Sequence, residues 1–144
     1  PDGPGPLMLP DMDEFTRVMR VNAVAPVYIA EALVDRVASS DRKIMIFIGT
    51  RSGSIGDNGS GGHYAYRCSK AALNMAVKSI SIEFAQRGIL AAVLHPGSVA
   101  TETRTAGTGI PVEESVTGMR NVIDGLTAEM SGTFRRFDGG TIEW

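Results

Sequence analysis

Tyr66 and Lys70 stand four residues apart in Tyr66-Arg67-Cys68-Ser69-Lys70, within a stretch patterned as a helix. That spacing places both side chains on one helical face, one turn apart. A phenol with a reference pKa near ~10 is a poor proton shuttle at neutral pH. A nearby ammonium group favours the phenolate, and a proton donor tuned toward the working pH suits the reduction of a carbonyl. Tyr-x-x-x-Lys alone is a weak signal, because a tyrosine packed on a lysine stem has the same spacing. Its setting adds weight. The pair follows an apolar run and a Gly/Ser-rich stretch, and the sequence continues as Ser69-Lys70-Ala71-Ala72-Leu73-Asn74.

The elements that position this pair follow from periodicity. Residues 1–10 are rich in Pro and Gly and predict an irregular entry. Asp11, Asp13 and Glu14 then favour a helix N-terminus. Phe15, Val18, Met19, Ala25, Ile29 and Leu33 recur at helical spacing, predicting one long helix to about Val37. Asn22 falls on its apolar stripe. Pro26, four residues later, has no N–H for the Asn22 carbonyl, so a kink is expected there.

Residues 43–49 form a short apolar run of strand length, expected to be buried on both faces. A Gly/Ser-rich loop follows over residues 50–62. A helix is predicted over residues 63–87, with Gly88 as its stop. A second buried strand spans residues 89–94 and is broken by His95-Pro96-Gly97. After a loop, a helix over residues 112–130 and a strand over residues 133–137 complete the chain. This alternation implies an α/β fold with a parallel sheet and helices on its faces. No repeat or linker divides it, so residues 1–144 read as one domain.

Composition excludes several classes. The net charge is -2, with no basic run, so nothing points to nucleic acid. No apolar stretch is long enough to cross a bilayer, so no membrane association is expected. Cys68 is the single cysteine and has no internal disulfide partner, which suits a reducing, cytoplasmic setting. Cys68, His63 and His95 lack metal-ligand spacing, and no metal is expected. No serine lies in G-x-S-x-G, which sets aside a serine hydrolase of that type.

Together these segments resemble the short-chain dehydrogenase/reductase family. The Tyr66/Lys70 setting matches its catalytic pair. Ile48-Gly49-Thr50-Arg51-Ser52-Gly53-Ser54 is similar to the strand end that carries the family's catalytic hydroxyl. His95-Pro96-Gly97-Ser98-Val99-Ala100-Thr101 resembles its Pro-Gly-x-x-x-Thr element, and Val21-Asn22-Ala23 its helical asparagine. Gly53-Ser54-Ile55, Tyr64-Ala65-Tyr66-Arg67, Ala71-Ala72-Leu73-Asn74-Met75-Ala76 and the ending Asp138-Gly139-Gly140-Thr141-Ile142-Glu143-Trp144 are similar to the C-factor branch. That branch includes a developmental signalling protein and carbonyl reductases.

The resemblance implies a partial Rossmann-like, doubly wound parallel sheet, supplying the last three strands with flanking helices. It implies hydride transfer between NAD or NADP and a small carbonyl or alcohol substrate. Tyr66 is then the proton donor, and Thr50 orients the substrate oxygen. Lys70 tunes Tyr66 and holds the nicotinamide ribose, while the Asn22 carbonyl anchors a relay water. Tyr66, Lys70, Pro96, Gly97, Val99 and Thr101 form the cofactor contacts. A homodimer through the first two long helices is implied as well. The predicted helix over residues 63–87 agrees: Cys68, Ala71, Ala72, Met75, Val77 and Ile80 lie on more than one side, and one sheet covers only one.

The sequence departs from the family in two ways. Thr50 stands where the family usually carries Ser; its hydroxyl is retained, its methyl narrows the site, and Ser52 is the second candidate. The phosphate-binding N-terminal half is also absent, since no G-x-x-x-G-x-G or G-x-G-x-x-G occurs. Gly56-Asp57-Asn58-Gly59-Ser60-Gly61 leads into the Tyr66 helix and reads as a flexible loop at the substrate site. The chain is therefore expected to be an incomplete catalytic portion, with weak cofactor binding by itself. The alternative is a truncated, non-catalytic interaction or signalling protein. His63 is read as a helix-entry residue, His95 as structural or a backbone-level neighbour of the cofactor, and Cys68 as buried. Glu102 and Arg104 fall in the expected substrate lid.

Overall fold

The structure is a computed structural model and describes residues 7–100 and 109–144. Helix α1 (Met12–Met19) opens on Asp11, whose carboxylate accepts the Glu14 N–H at 2.8 Å. That bond satisfies one of the donors left free at a helix start. The expected kink takes another form. A π-helical turn, Arg20–Val24, joins α1 directly to α2 (Ala25–Ala38). The Ala25 N–H reaches back five residues to Arg20 O, so the backbone widens where Pro26 withholds a donor.

Strand β1 (Ile44–Ile48) pairs in parallel with β2 (Leu90–His95), with Ile44 opposite Leu90 and Ile48 opposite Leu94. Between them runs α3 (Tyr64–Glu83), entered through Gly61, Gly62 and His63, all at positive φ. A 3-10 turn, Ala85–Arg87, and Gly88 at φ +74° end it. Helix α4 (Val112–Asp124) leads to β3 (Phe134–Arg136), which is parallel to β2.

A fourth strand, β4 (Thr141–Ile142), lies antiparallel to β3, so the expected three-strand sheet has four strands in the order β1-β2-β3-β4. Its turn is closed by Arg136 N–H to Gly140 O at 2.8 Å and Gly139 N–H to Arg136 O at 3.0 Å. Gly139 has φ +88°, which suits glycine. Two residues are too few for a period-2 signal, which is why the strand escaped the sequence reading.

The core lies on one face of the sheet. Met45, Ala91, Val93, Phe134 and Ile142 meet Ala30 of α2 and Leu73, Val77 and Ile80 of α3. Alternation sends Ala92 and Leu94 to the other face, where they are buried too. Each fully buried Val, Leu or Ile side chain here contributes about 1.5–3 kcal/mol by leaving water. Among the described residues β1 pairs only with β2, and its other edge is open.

Candidate active site

The segment after β1 is built to present a hydroxyl. Thr50 is extended, and its Oγ1 accepts the Ser52 N–H at 3.3 Å. A 3-10 turn, Arg51–Gly53, follows and is seated on α3. An added Cβ at Gly53 would lie 2.8 Å from Lys70 Cβ and 2.9 Å from the Lys70 carbonyl carbon. Only glycine lets the turn approach this closely. Asn74 Nδ2 donates to Gly53 O at 3.1 Å, and Arg67 Nη1 to Ser52 O at 3.3 Å. Arg67, Lys70 and Asn74 are spaced i, i+3, i+7 and form the seat on one face of α3.

Lys70 is half-buried, and its Nζ donates to Ile48 O at 3.2 Å. Burial disfavours its charge and lowers its pKa from the ordinary lysine value. It has no carboxylate partner among the described residues. A half-buried ammonium satisfied only by a carbonyl is suited to receive the hydroxyl oxygens of a sugar. Tyr66, one turn earlier, is 44% exposed. Asn22 comes in from the π-helical turn, its Nδ2 donating to Ser69 Oγ at 3.1 Å. The Ser69 hydroxyl in turn donates to Tyr66 O at 2.8 Å. Fully buried Ser69 thus ties the Asn22 turn to α3 between Tyr66 and Lys70.

At the end of β2, His95-Pro96-Gly97 turns the chain beside β1, where Gly49 N–H donates to Leu94 O at 2.9 Å. Gly97 has φ +83°, and a Cβ there would come within 2.8 Å of Ile110 and 2.9 Å of Phe137. Ser115 of α4 donates to Pro96 O at 2.6 Å. Val99 forms a bridge with Ile110. The His95 Nδ1 is buried without a hydrogen-bond partner among the described residues. Burial, then Arg51 and Arg136, lower its pKa, against an opposing bond to the Gly49 backbone.

Of the residues singled out from sequence, Asn22 and Lys70 share one groove with Pro26, Ile48 and Leu73, about 470 Å³ along the open edge of β1. Tyr66 lines a neighbouring groove of about 890 Å³ with residues of the 7–10 entry and His63. Thr50 sits on the turn carried by α3. Pro96, Gly97 and Val99 form the adjoining turn, and Thr101, Glu102 and Arg104 lie outside the described residues. Cys68 is exposed, contrary to the expectation of burial, because it shares the uncovered face of α3 with Met75 and Ile82. Arg67, Ser69 and Asn74 were missed. The i, i+3, i+7 spacing around Lys70 was the available signal for Arg67 and Asn74; Ser69 had none.

Comparison with known proteins gives this geometry a context. Residues 3–108 match the family described as short chain dehydrogenase. The chain is 37% identical over 134 residues to C-signal of Myxococcus xanthus, covering 93% of this chain and 81% of that protein. It is 37% identical over 138 residues to 1-hydroxy-2-glutathionyl-2-methyl-3-butene dehydrogenase of Rhodococcus sp. (strain AD45), covering 93% of this chain and 60% of that one. Its fold matches the carbonyl reductase Sniffer of D. melanogaster with a TM-score of 0.88 at 29% identity. That match covers 97% of this chain and 61% of Sniffer. An NADPH-bound carbonyl reductase from chicken fatty liver gives a TM-score of 0.87 at 29% identity, with the same coverage. By sequence and by fold, the chain belongs to the short-chain dehydrogenase family.

Proposed function

We propose that this chain carries the proton-transfer and nicotinamide-end residues of an NAD(P)-dependent carbonyl reductase or alcohol dehydrogenase. The carrying observation is the half-buried Lys70 ammonium, bound to Ile48 O, one helical turn along α3 from the exposed Tyr66. The bound cofactor supplies hydride chemistry. Tyr66 gives its proton to the substrate oxygen, and Thr50 orients that oxygen through its own hydroxyl. Lys70 favours the phenolate by its charge and offers N–H donors to the nicotinamide ribose. Asn22 braces α3 through Ser69, and its carbonyl anchors the relay water. Tyr66, Lys70, Pro96, Gly97, Val99 and Thr101 are the cofactor contacts. These residues suit the nicotinamide end of a dinucleotide, since the half-buried Lys70 ammonium lacks a carboxylate partner among the described residues. The lone Cys68 fits a cytoplasmic setting.

The test is Tyr66→Phe in the complete natural protein. The expected result is a carbonyl reduction rate lowered by about a hundredfold or more, with NADPH affinity retained. Normal turnover by the Phe variant would refute the assignment.

A second reading is a non-catalytic interaction or signalling role. It is favoured by the similarity to C-signal. Calorimetric titration of the 144-residue chain with NADPH separates the two. Micromolar binding with turnover of a carbonyl compound would exclude the second reading. Binding absent here but present in a longer natural form would identify the chain as an enzyme's catalytic portion.

A further inference from the structure

The loop between the Thr50 turn and α3 is rich in glycine, with Gly56, Gly59, Gly61 and Gly62. At Gly59, Gly61 and Gly62 an added Cβ would meet nothing within 4 Å, so packing does not hold this stretch. Polar anchors do. Arg67, directly after Tyr66, grips the loop at two places: Nη1 donates to Ser52 O at 3.3 Å and Nη2 to Ser60 Oγ at 2.8 Å. Asp57 is ion-paired with Arg51 at 2.8 Å, and its N–H donates to Ser54 Oγ at 3.0 Å. Gly56 N–H donates to Trp144 O at 3.1 Å, and the Trp144 ring stacks on Phe134 with centroids 5.8 Å apart.

Ser52, held by Arg67 through its carbonyl, donates its own N–H to Thr50 Oγ1. One guanidinium therefore ties the hydroxyl-bearing turn and the far end of the loop to the helix that carries Tyr66. The two contacts lie eight residues apart in sequence. A planar fork can span them, whereas an ammonium has a single nitrogen.

We infer that Arg67 is a positioning residue that fixes the Thr50 turn and the 51–60 loop to the helix carrying Tyr66, and so sets how the Thr50 hydroxyl meets the substrate oxygen. This rests on the assignment of Tyr66 and Thr50 made above. Arg67 acts through Ser52 and Ser60, and its loss loosens the turn and loop while leaving the cofactor contacts at Pro96 and Gly97 in place.

The experiment compares Arg67→Met, Arg67→Lys and Ser60→Ala in the complete natural protein by two readouts. The first is hydrogen exchange over residues 52–62, which does not depend on turnover. The second is KM for a carbonyl substrate against KM for NADPH. Arg67→Met should speed exchange at Gly56, Asp57 and Gly61 and raise the substrate KM, each by about tenfold, the scale of one lost charge-assisted bond. The NADPH KM should stay unchanged, with Arg67→Lys and Ser60→Ala in between. Unchanged loop exchange in Arg67→Met and Ser60→Ala would overturn the inference. So would faster exchange with no change in the substrate KM, or an equal rise in both KM values. Should Arg67→Met fail to fold, the exposed Ser60→Ala variant carries the same test. Full turnover by Tyr66→Phe would sink the catalytic assignment instead, and loop exchange would still report on the Arg67 clip.

Discussion

His95 ends β2 with Nδ1 buried and without a partner among the described residues. Burial, Arg51 and Arg136 all disfavour a second proton on its ring, holding its pKa below the ordinary 6.5. Below that value the unfolded chain binds a proton that the folded chain resists, so stability falls as pH drops from about 6.5. Urea denaturation at about pH 7.5 and about pH 5.5 should show a smaller acid loss in His95→Gln than in the parent. Equal losses would remove His95 from the acid response. From sequence His95 read as a structural strand end or a backbone-level neighbour of the cofactor, with no sign of its two arginine neighbours, which lie 44 and 41 positions away. Tyr66, Lys70 and Asn22 could be named as candidates because motif spacing is local. Ser69 was not, because its role depends on Asn22 arriving from another helix, 47 residues earlier.

The Arg51–Gly53 turn and α3 work as one unit, and Gly53 is where they touch. A methyl group at Gly53 would press on the Lys70 carbonyl carbon, which is backbone and cannot swing aside. Gly53→Ala should therefore cost about 1–3 kcal/mol in chemical denaturation, as overpacking does elsewhere. A variant of parental stability would show that the turn is not seated on the helix. Much of the element order was legible, because α2, β1, α3 and β2 carry strong periodic patterns. Two features were not. The π-helical turn at Arg20–Val24 leaves hydrophobic spacing nearly intact while changing the backbone bonding, and β4 is set by the Asp138-Gly139-Gly140 turn rather than by its own two residues.

Across the whole molecule, apolar surface is left uncovered on the helical side. Tyr28 and Val24 are exposed near the start of α2, and Met75 and Ile82 along α3. Faces of this kind are usually covered by another chain. We therefore expect self-association through these helices. Sedimentation at high concentration should show a dimer, and Tyr28→Glu or Met75→Glu should shift it toward monomer. A parent that stays monomeric would refute this. The open edge of β1 has a different consequence. Lys43 and Gly49 turn their backbone groups to β2, so alternation turns those of Ile44, Ile46 and Ile48 outward. The outermost of these, Ile48 O, is already engaged by the Lys70 ammonium. A strand laid along this edge finds free rungs at Ile44 and Ile46 and a cation at the third. Its register is set by where it must make room for Lys70, so sheet growth and the proposed proton chemistry meet at one carbonyl oxygen.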